Sequence, residues 1–158
     1  MAVDITFLDT SVLLAGLLDF GPQSAPAQSV MHAVAEKALP AATGWHCCLE
    51  FYSVATRLPP EYRLAPADAA HLLHEEVFAR MAVHDLPSVD RARLLEAAVQ
   101  DGTAGGRIYD AHIAEIARAV GAHVIVTDNR RHFLASLRHG IRVETPGEFL
   151  KSLKGRRT

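Results

Sequence analysis

Short apolar runs rich in β-branched residues alternate along this chain with longer segments of helical periodicity. The clearest run, residues 123–126, follows an amphipathic segment at 107–120 that Gly121 closes. A second run, residues 3–8, lies near the start of the chain. Such alternation is typical of a parallel sheet with helices on both faces. We therefore expect an α/β fold, a Rossmann-like parallel sheet of about five strands.

Proline and glycine set the predicted ends of the other elements. Gly21-Pro22 ends the first helix, and Pro59-Pro60 ends the third. With 158 residues and no internal repeat or low-complexity linker, residues 1–158 are predicted to form one domain, in which about 154–158 are a basic flexible tail. Strands are expected at 3–8, 40–43, 81–86, 123–126 and 141–143, and helices at 11–18, 25–39, 45–58, 66–79, 88–100, 107–120, 131–137 and 146–153.

The cysteines and the apolar segments indicate a cytoplasmic protein. Cys47 and Cys48 are adjacent, and neighbouring cysteines rarely bridge each other, so we expect reduced thiols. No basic segment precedes an apolar one at the N-terminus, as a signal peptide would require. The longest apolar stretch, residues 12–18, is far too short to span a bilayer. No membrane association is expected.

The charge is unevenly distributed along the chain. The net charge is −2, but residues 129–158 contain eight Lys and Arg and two acids, a balance of 8 − 2 = +6. The first 128 residues therefore carry 8 − 16 = −8. A basic segment beside an acidic cluster could hold a phosphate backbone near bound cations, although a solvated helix and tail would have the same composition.

Two acidic residues directly follow predicted strands. Asp9 follows the first strand and Asp128 follows the fourth. Either could cap a helix or form a turn, because Asp is suited to both. Thr10 and Ser11 could cap the first helix equally well, which leaves Asp9 free for another role. In parallel sheets, ligands gather where the strands end.

Two further acids lie within predicted helices at the flank of an apolar stripe. Asp110 borders the stripe of the 107–120 helix, and Glu50 borders that of the 45–58 helix. Arg107 could pair with Asp110 locally, three residues away. One shared cause accounts for all four acids better, because clustered carboxylates would repel unless a divalent cation joined them. An all-oxygen site favours Mg²⁺ or Mn²⁺ over Zn²⁺.

Three short segments resemble the signature regions of PIN-domain ribonucleases, most closely the VapC-type toxins of type II toxin–antitoxin systems. They are residues 8–14 (LDTSVLL), 106–114 (GRIYDAHIA) and 126–133 (VTDNRRHF). Together they extend the likeness from the first strand to the last helix. The segment Trp45-His46-Cys47-Cys48 before Glu50 departs from the family pattern.

The resemblance implies a PIN-like fold and a Mg²⁺-dependent endoribonuclease that leaves 3′-hydroxyl and 5′-phosphate ends. It also implies an RNA substrate, a cognate antitoxin and a homodimer. By position, the catalytic and metal-binding acids are Asp9, Glu50, Asp110 and Asp128. Supporting or substrate-binding positions are Thr10, Ser11, Thr127, Asn129 and Arg130, although residues 129–131 could equally begin a helix with solvated arginines.

Two other function classes are compatible with parts of this pattern. A phospho-acceptor receiver domain also has acids at strand ends and binds Mg²⁺, and Asp85 lies near the predicted third strand. Such a domain needs a Lys after the fifth strand, where this chain has Glu144-Thr145-Pro146. The other class is a PIN-like scaffold without activity that only binds RNA or protein, which the four intact acids disfavour.

Overall fold

The computed structural model describes residues 3–157 and has a five-stranded, fully parallel sheet. The strand order is β3-β2-β1-β4-β5. The predicted α/β class and the strand number are confirmed. The strands are β1 (Thr6–Leu8), β2 (Ala41–Gly44), β3 (Ala82–His84), β4 (Val124–Val126) and β5 (Arg142–Glu144).

Seven α-helices in the described residues cover the sheet. The first helix packs against the second and the third, the second also packs against the last, and the third also packs against the fourth. The fifth helix packs against the sixth. In residues 3–157, no helix combines the length and apolar character needed to cross a bilayer. The helices are α1 (Thr10–Leu17), α2 (Ala25–Ala35), α3 (Trp45–Ala55), α4 (Pro66–Leu72), α5 (Arg91–Gln100), α6 (Arg107–Ala119) and α7 (Pro146–Arg156).

The order of the strands creates a switch point between β1 and β4. From β1 the chain adds β2 and then β3 on one side, and it returns to place β4 on the other side of β1. Leu8 of β1 aligns with Val126 of β4, and the Asp9 N–H donates to the Val126 carbonyl at 3.1 Å. Residues after β1 and β4 therefore meet at one edge, where open α/β sheets bind ligands.

A buried core lies between the sheet and its helices. The central strands β1 and β4 are buried at every position, as expected for parallel strands covered on both faces. Gly44, at the end of β2, allows α6 to come close: a Cβ there would lie 3.3 Å from Ile116 Cδ1. This close approach brings the start of α6, with Asp110, towards the carboxyl ends of β1 and β2.

Several predicted helix boundaries were wrong. Helix α2 ends at Ala35 rather than at 39, because Lys37 adopts a left-handed backbone with φ +57°. The helix predicted to reach residue 79 is α-helical only to Leu72 and continues as a π-helix to Phe78.

The chain after β4 also differs from its predicted form. Instead of one helix at 131–137 it forms two 3₁₀ segments, Arg130–His132 and Leu134–His139. They are separated by Phe133, which turns into the core with a non-helical backbone. At the C-terminus, α7 continues to Arg156, so residues 154–156 of the predicted tail are helical. Residue 158 lies outside the described residues.

Candidate metal centre

Asp9 is a buried carboxylate held by neutral groups. Only 4% of its surface is exposed, and its Oδ2 accepts hydrogen bonds from Ser11 Oγ at 2.9 Å and Thr127 Oγ1 at 2.8 Å. None of the ion pairs among residues 3–157 involves it. Burial raises the pKa of Asp9 above its ordinary value, and the two hydroxyl donors offset only part of this effect. A positive ligand would remove the remaining cost.

The capping role considered for Asp9 is not the one its side chain performs. Asp9 occupies the N-cap position of α1 with an extended backbone, φ −76° and ψ 162°. Its side chain makes no capping hydrogen bond. The carboxylate instead bonds Thr127 of the loop after β4, across the switch point of the sheet. The local backbone thus directs this acid into the edge where ligands bind.

Glu50 and Asp110 extend the acidic group from the two helices α3 and α6. Burial raises the pKa of Asp110, opposed by the neighbouring His132 and increased further by the charge of Glu50. Glu50 also raises the pKa of Asp9. One carboxylate therefore interacts with both others, so the three acids share one electrostatic environment.

Asp110 and Glu50 each have a basic partner. Asp110 Oδ2 lies 3.3 Å from His132 Nδ1 and 3.8 Å from Arg107 Nε. Glu50 Oε1 lies 2.7 Å from His46 Nε2. Both acids are partly exposed, unlike Asp9. These partners hold the two carboxylates in orientation.

Asp128 lies beside this group but is the least engaged of the four. Its backbone N–H donates to Ser11 Oγ at 3.0 Å, and Ser11 in turn donates to Asp9. Partial burial raises the pKa of its carboxyl, and the charge of another acid is not among the causes. The backbone of Asp128 is thus fixed to Ser11, which itself hydrogen-bonds Asp9.

The carboxylate oxygens fit a hard divalent cation, although the four acids do not converge on one point in this structure. Within residues 3–157, no three His, Cys, Asp or Glu side chains are close enough together to ligate one ion as they stand. The Asp9 carboxylate is buried, accepts hydrogen bonds from two hydroxyls and has no cationic partner among residues 3–157, and this is the observation that favours a cation here. Carboxylate oxygens are the ligands that Mg²⁺ and Mn²⁺ prefer.

Comparison with known proteins assigns the family. The family described as PIN domain matches residues 6–131, which include all four acids. The chain belongs to the PIN domain family. It is similar to Ribonuclease VapC40 of Mycobacterium tuberculosis, with 32% identity over 126 residues that cover 77% of this chain and 85% of that protein. The expected likeness to VapC-type proteins is confirmed.

A second curated relative and a solved structure agree with this assignment. Ribonuclease VapC27 of M. tuberculosis is 39% identical over 85 residues, 54% of this chain and 60% of that protein, so the chain spans less than two thirds of its length. The crystal structure of DNA-bound VapBC from Salmonella typhimurium superposes with a TM-score of 0.63 at 20% identity, covering 91% of this chain and 99% of that chain. The fold is therefore the PIN fold.

In this PIN domain, two of the predicted supporting residues contact the site directly. Ser11 and Thr127 both donate to Asp9, and Thr127 Oγ1 also accepts from the Asn129 N–H at 2.9 Å. Thr10 is buried beneath them, close to the thiol of Cys47. These hydroxyls hold the two loops of the switch point together.

Arg130 does not reach the carboxylates. Its Nη1 lies 3.0 Å from Glu148 Oε1 of α7. The side chain of Asn129 has no described contact with the acids; only its backbone is fixed, through Thr127. A role of these two residues in holding substrate stays a prediction.

His46 is the residue of the site that the sequence reasoning missed. Besides Glu50, it shares a hydrogen bond with His112, Nδ1 to Nδ1 at 3.2 Å, and its ring stacks on Tyr109 with centroids 5.4 Å apart. The signal was available, because His46 and Glu50 are four residues apart on one helix and so lie on one face. The departure from the family pattern at 45–48 thus provides a partner for the second acid.

The two cysteines next to His46 are not ligands in this state. Burial raises the pKa of Cys47 to about 12 and that of Cys48 to about 11. Both are free and buried, and both are protonated at neutral pH. Since metals bind the thiolate, oxygen donors remain the relevant ligands.

Proposed function

We propose that this protein is a metal-dependent endoribonuclease that hydrolyses RNA phosphodiester bonds with Mg²⁺, or Mn²⁺, at Asp9, Glu50, Asp110 and Asp128. The observation that carries the proposal is the Asp9 carboxylate, which is buried at the switch point of the sheet, is held by two hydroxyls and has no cationic partner among residues 3–157. The reaction class is supported by two relatives that are both ribonucleases by name. Their identities of 32% and 39% make a shared chemistry reasonable.

The chain's own residues prepare the site for this chemistry. A bound divalent cation would supply charge neutralisation and Lewis-acid activation. Asp9, fixed by Ser11 and Thr127, would present one oxygen to it in a constant position. His132 beside Asp110 and His46 beside Glu50 would orient the other two carboxylates. Loss of such supporting contacts to metal ligands typically lowers metal affinity or activity by roughly 10- to 100-fold.

Basic side chains next to Asp110 support a polyanionic substrate. A cavity of about 490 Å³ borders the start of α6 and is lined by Arg107, Arg131, His132 and Arg138. Arg138 is paired with Asp101 at 2.8 Å and Arg107 lies 3.8 Å from Asp110, so Arg131, which is in none of the ion pairs among residues 3–157, is the arginine best placed to meet a phosphate. Phosphate contacts of this kind position a nucleic-acid backbone without reading its sequence.

We further propose that the protein is the toxin of a toxin–antitoxin pair, forms a homodimer and works in the cytoplasm. The relatives are named VapC, and the similar solved structure is a VapBC. The two free, buried thiols are compatible with a reducing compartment. Co-purification of the untagged product of a short neighbouring reading frame with the tagged protein would support the partner; purification of the protein alone after co-expression would argue against it.

The sheet order disfavours the receiver-domain alternative. Receiver domains have the order 2-1-3-4-5, with the third strand in the centre of the sheet. Here β3 is at the edge, and the Asp85 carboxylate after it accepts from the Leu86 N–H at 2.8 Å. A catalytically silent scaffold stays possible only if the acids bind no metal, which calorimetry with Mg²⁺ measures.

The test is RNA cleavage by purified protein in Mg²⁺ and in EDTA. Wild type should cleave only with metal and leave 5′-phosphate ends, whereas Asp9→Asn and Asp110→Asn should lose nearly all activity. Glu61→Gln, which removes one charge from an exposed turn, is the matched control and should cleave normally. Cleavage by Asp9→Asn or Asp110→Asn at the wild-type rate would show that the assignment is wrong.

A further inference from the structure

Tyr109 lies beside the candidate metal centre with most of its surface open. It immediately precedes Asp110 on α6, and 57% of its surface is exposed. It lines an open cleft of about 400 Å³ whose walls also contain Glu50 and Asp110. The remaining lining residues are His46, Leu49, Ser53 and Gly106. An exposed aromatic ring thus lies in one cleft with two of the proposed metal-binding acids.

The ring of Tyr109 is fixed from one side. It stacks on the His46 ring with centroids 5.4 Å apart and 27° between the planes. His46 is itself held by Glu50 at 2.7 Å and by His112 at 3.2 Å. A ring that is already ordered loses little conformational freedom when a second planar group stacks on it. Tyr109 is therefore a prepared platform and not a loose surface side chain.

The cleft also has an exposed apolar side chain and open space at the start of α6. Leu49 is 52% exposed and lines the same cleft from α3. At Gly106 a Cβ would meet no atom within 4 Å, so the space beside the start of α6 is open. The cleft therefore offers an aromatic and an apolar surface beside two carboxylates, and a metal ion held by those carboxylates would attract a phosphate.

We propose that Tyr109, with Leu49, binds an unpaired nucleobase of the RNA strand adjacent to the phosphodiester held at the acidic group. This rests on the proposed ribonuclease function and deepens it, because it assigns the contact with the base beside the cleaved bond to named residues. An aromatic platform can reach a base only when that base has left a helical stack. Stacking tolerates every base, so this contact selects single strands rather than a sequence.

The continuity of the cleft with the acids is what favours a nucleobase over a protein side chain. A metal ion held by Glu50 and Asp110 would bind a phosphate, and every nucleotide carries a base a short distance from its phosphate. The base would pack on the open part of the Tyr109 ring while the phosphate faces the metal ligands. His46 contacts both sides of this arrangement, because its ring stacks on Tyr109 and its Nε2 lies 2.7 Å from Glu50 Oε1.

The experiment compares cleavage of a 20-nucleotide single-stranded RNA by wild type, Tyr109→Ala and Tyr109→Phe. Base–aromatic stacking predicts that Tyr109→Ala raises KM by roughly 5- to 150-fold with kcat little changed, and that Tyr109→Phe restores KM. Tyr62→Ala, which removes an exposed tyrosine outside the cleft, should behave as wild type. A duplex of the same sequence should be a poor substrate for every variant.

A second arm leaves the protein intact and alters the RNA. Single nucleotides around the cleaved bond are replaced one at a time by abasic nucleotides. At one position this replacement should raise the KM of wild type. At that same position it should leave the KM of Tyr109→Ala unchanged, because the variant has already lost the contact with the base. Wild-type cleavage with an unchanged KM for Tyr109→Ala and for all abasic RNAs overturns the platform alone, and Tyr109 would then be a protein contact. No cleavage of any RNA by wild type overturns the platform and the proposed function together.

Discussion

Replacing Asp9 with Asn should stabilise the metal-free protein while it removes metal binding. The carboxylate is 4% exposed and faces two hydroxyl donors at 2.8 and 2.9 Å, with no cation beside it. Burial outweighs these bonds, since the pKa of Asp9 is raised. We expect the neutral amide to recover about 1–3 kcal/mol at pH 8, the scale of an incompletely compensated buried polar group. For a domain of this size, Tm should rise by about 2–10 °C.

The pH dependence of stability gives a second signature of the same charge. Because the folded-state pKa of Asp9 is raised above its ordinary value of 3.8, the folded protein binds this proton more tightly than the unfolded chain does. Stability should therefore fall as pH rises from about 3.8 through the raised pKa. Asp9→Asn should remove this part of the decline, so wild type and variant should differ little at pH 3.5 and most at pH 8.

Thermal unfolding followed by circular dichroism, in EDTA and in Mg²⁺, measures both effects. At a Mg²⁺ concentration about 100 times the dissociation constant, wild type should gain about 2.7 kcal/mol, and Asp9→Asn almost nothing. Glu61→Gln controls for the loss of one surface charge. An Asp9→Asn protein less stable than wild type in EDTA at pH 8, or equally stabilised by Mg²⁺, would refute the reasoning.

Three further predictions concern the support, the packing and the thiols. Thr127→Val removes the 2.8 Å hydrogen bond to Asp9 and should weaken Mg²⁺ binding by roughly 10- to 100-fold in calorimetry, while Thr127→Ser retains it. Gly16→Ala places a Cβ against the Met31 side chain and 3.0 Å from the Ala27 carbonyl oxygen, and should cost about 1–3 kcal/mol in urea unfolding; Gly147→Ala, with open space, should cost nothing. Cys47, with a pKa of about 12, should resist iodoacetamide at pH 8 until the protein unfolds; rapid labelling of the folded protein would contradict its burial.

The acids at the strand ends could be predicted because they depend on one regularity. In a parallel sheet, all strands end at the same edge, so a residue just after any strand lies there. Asp9 and Asp128 required only that the runs before them be recognised as strands. The strand pattern alone does not predict that Asp9 and Asp128 are close together, because it does not show that β4 lies beside β1. That pairing depends on the return of the chain across the sheet.

The contacts of the helical acids depend on packing between distant segments and were beyond the sequence patterns. Glu50 and Asp110 line one cleft because α6 packs beside α3, although the two helices are far apart in the sequence. His132 reaches Asp110 only because residues 130–139 form two 3₁₀ segments around the buried Phe133 instead of the predicted helix. Helical periodicity describes one element at a time, and it contains no information about such meetings.

The central claim is that acids from separate parts of the chain form one metal site, and calorimetric titration with Mg²⁺ tests it most directly. Wild type should bind, Asp9→Asn and Asp110→Asn should each lose most of the binding free energy, and the double variant should lose little more than either alone, since coupled ligands are not additive. Glu50→Gln should weaken binding as well. Undiminished binding by Asp9→Asn or Asp110→Asn, or no binding by wild type, would contradict the claim.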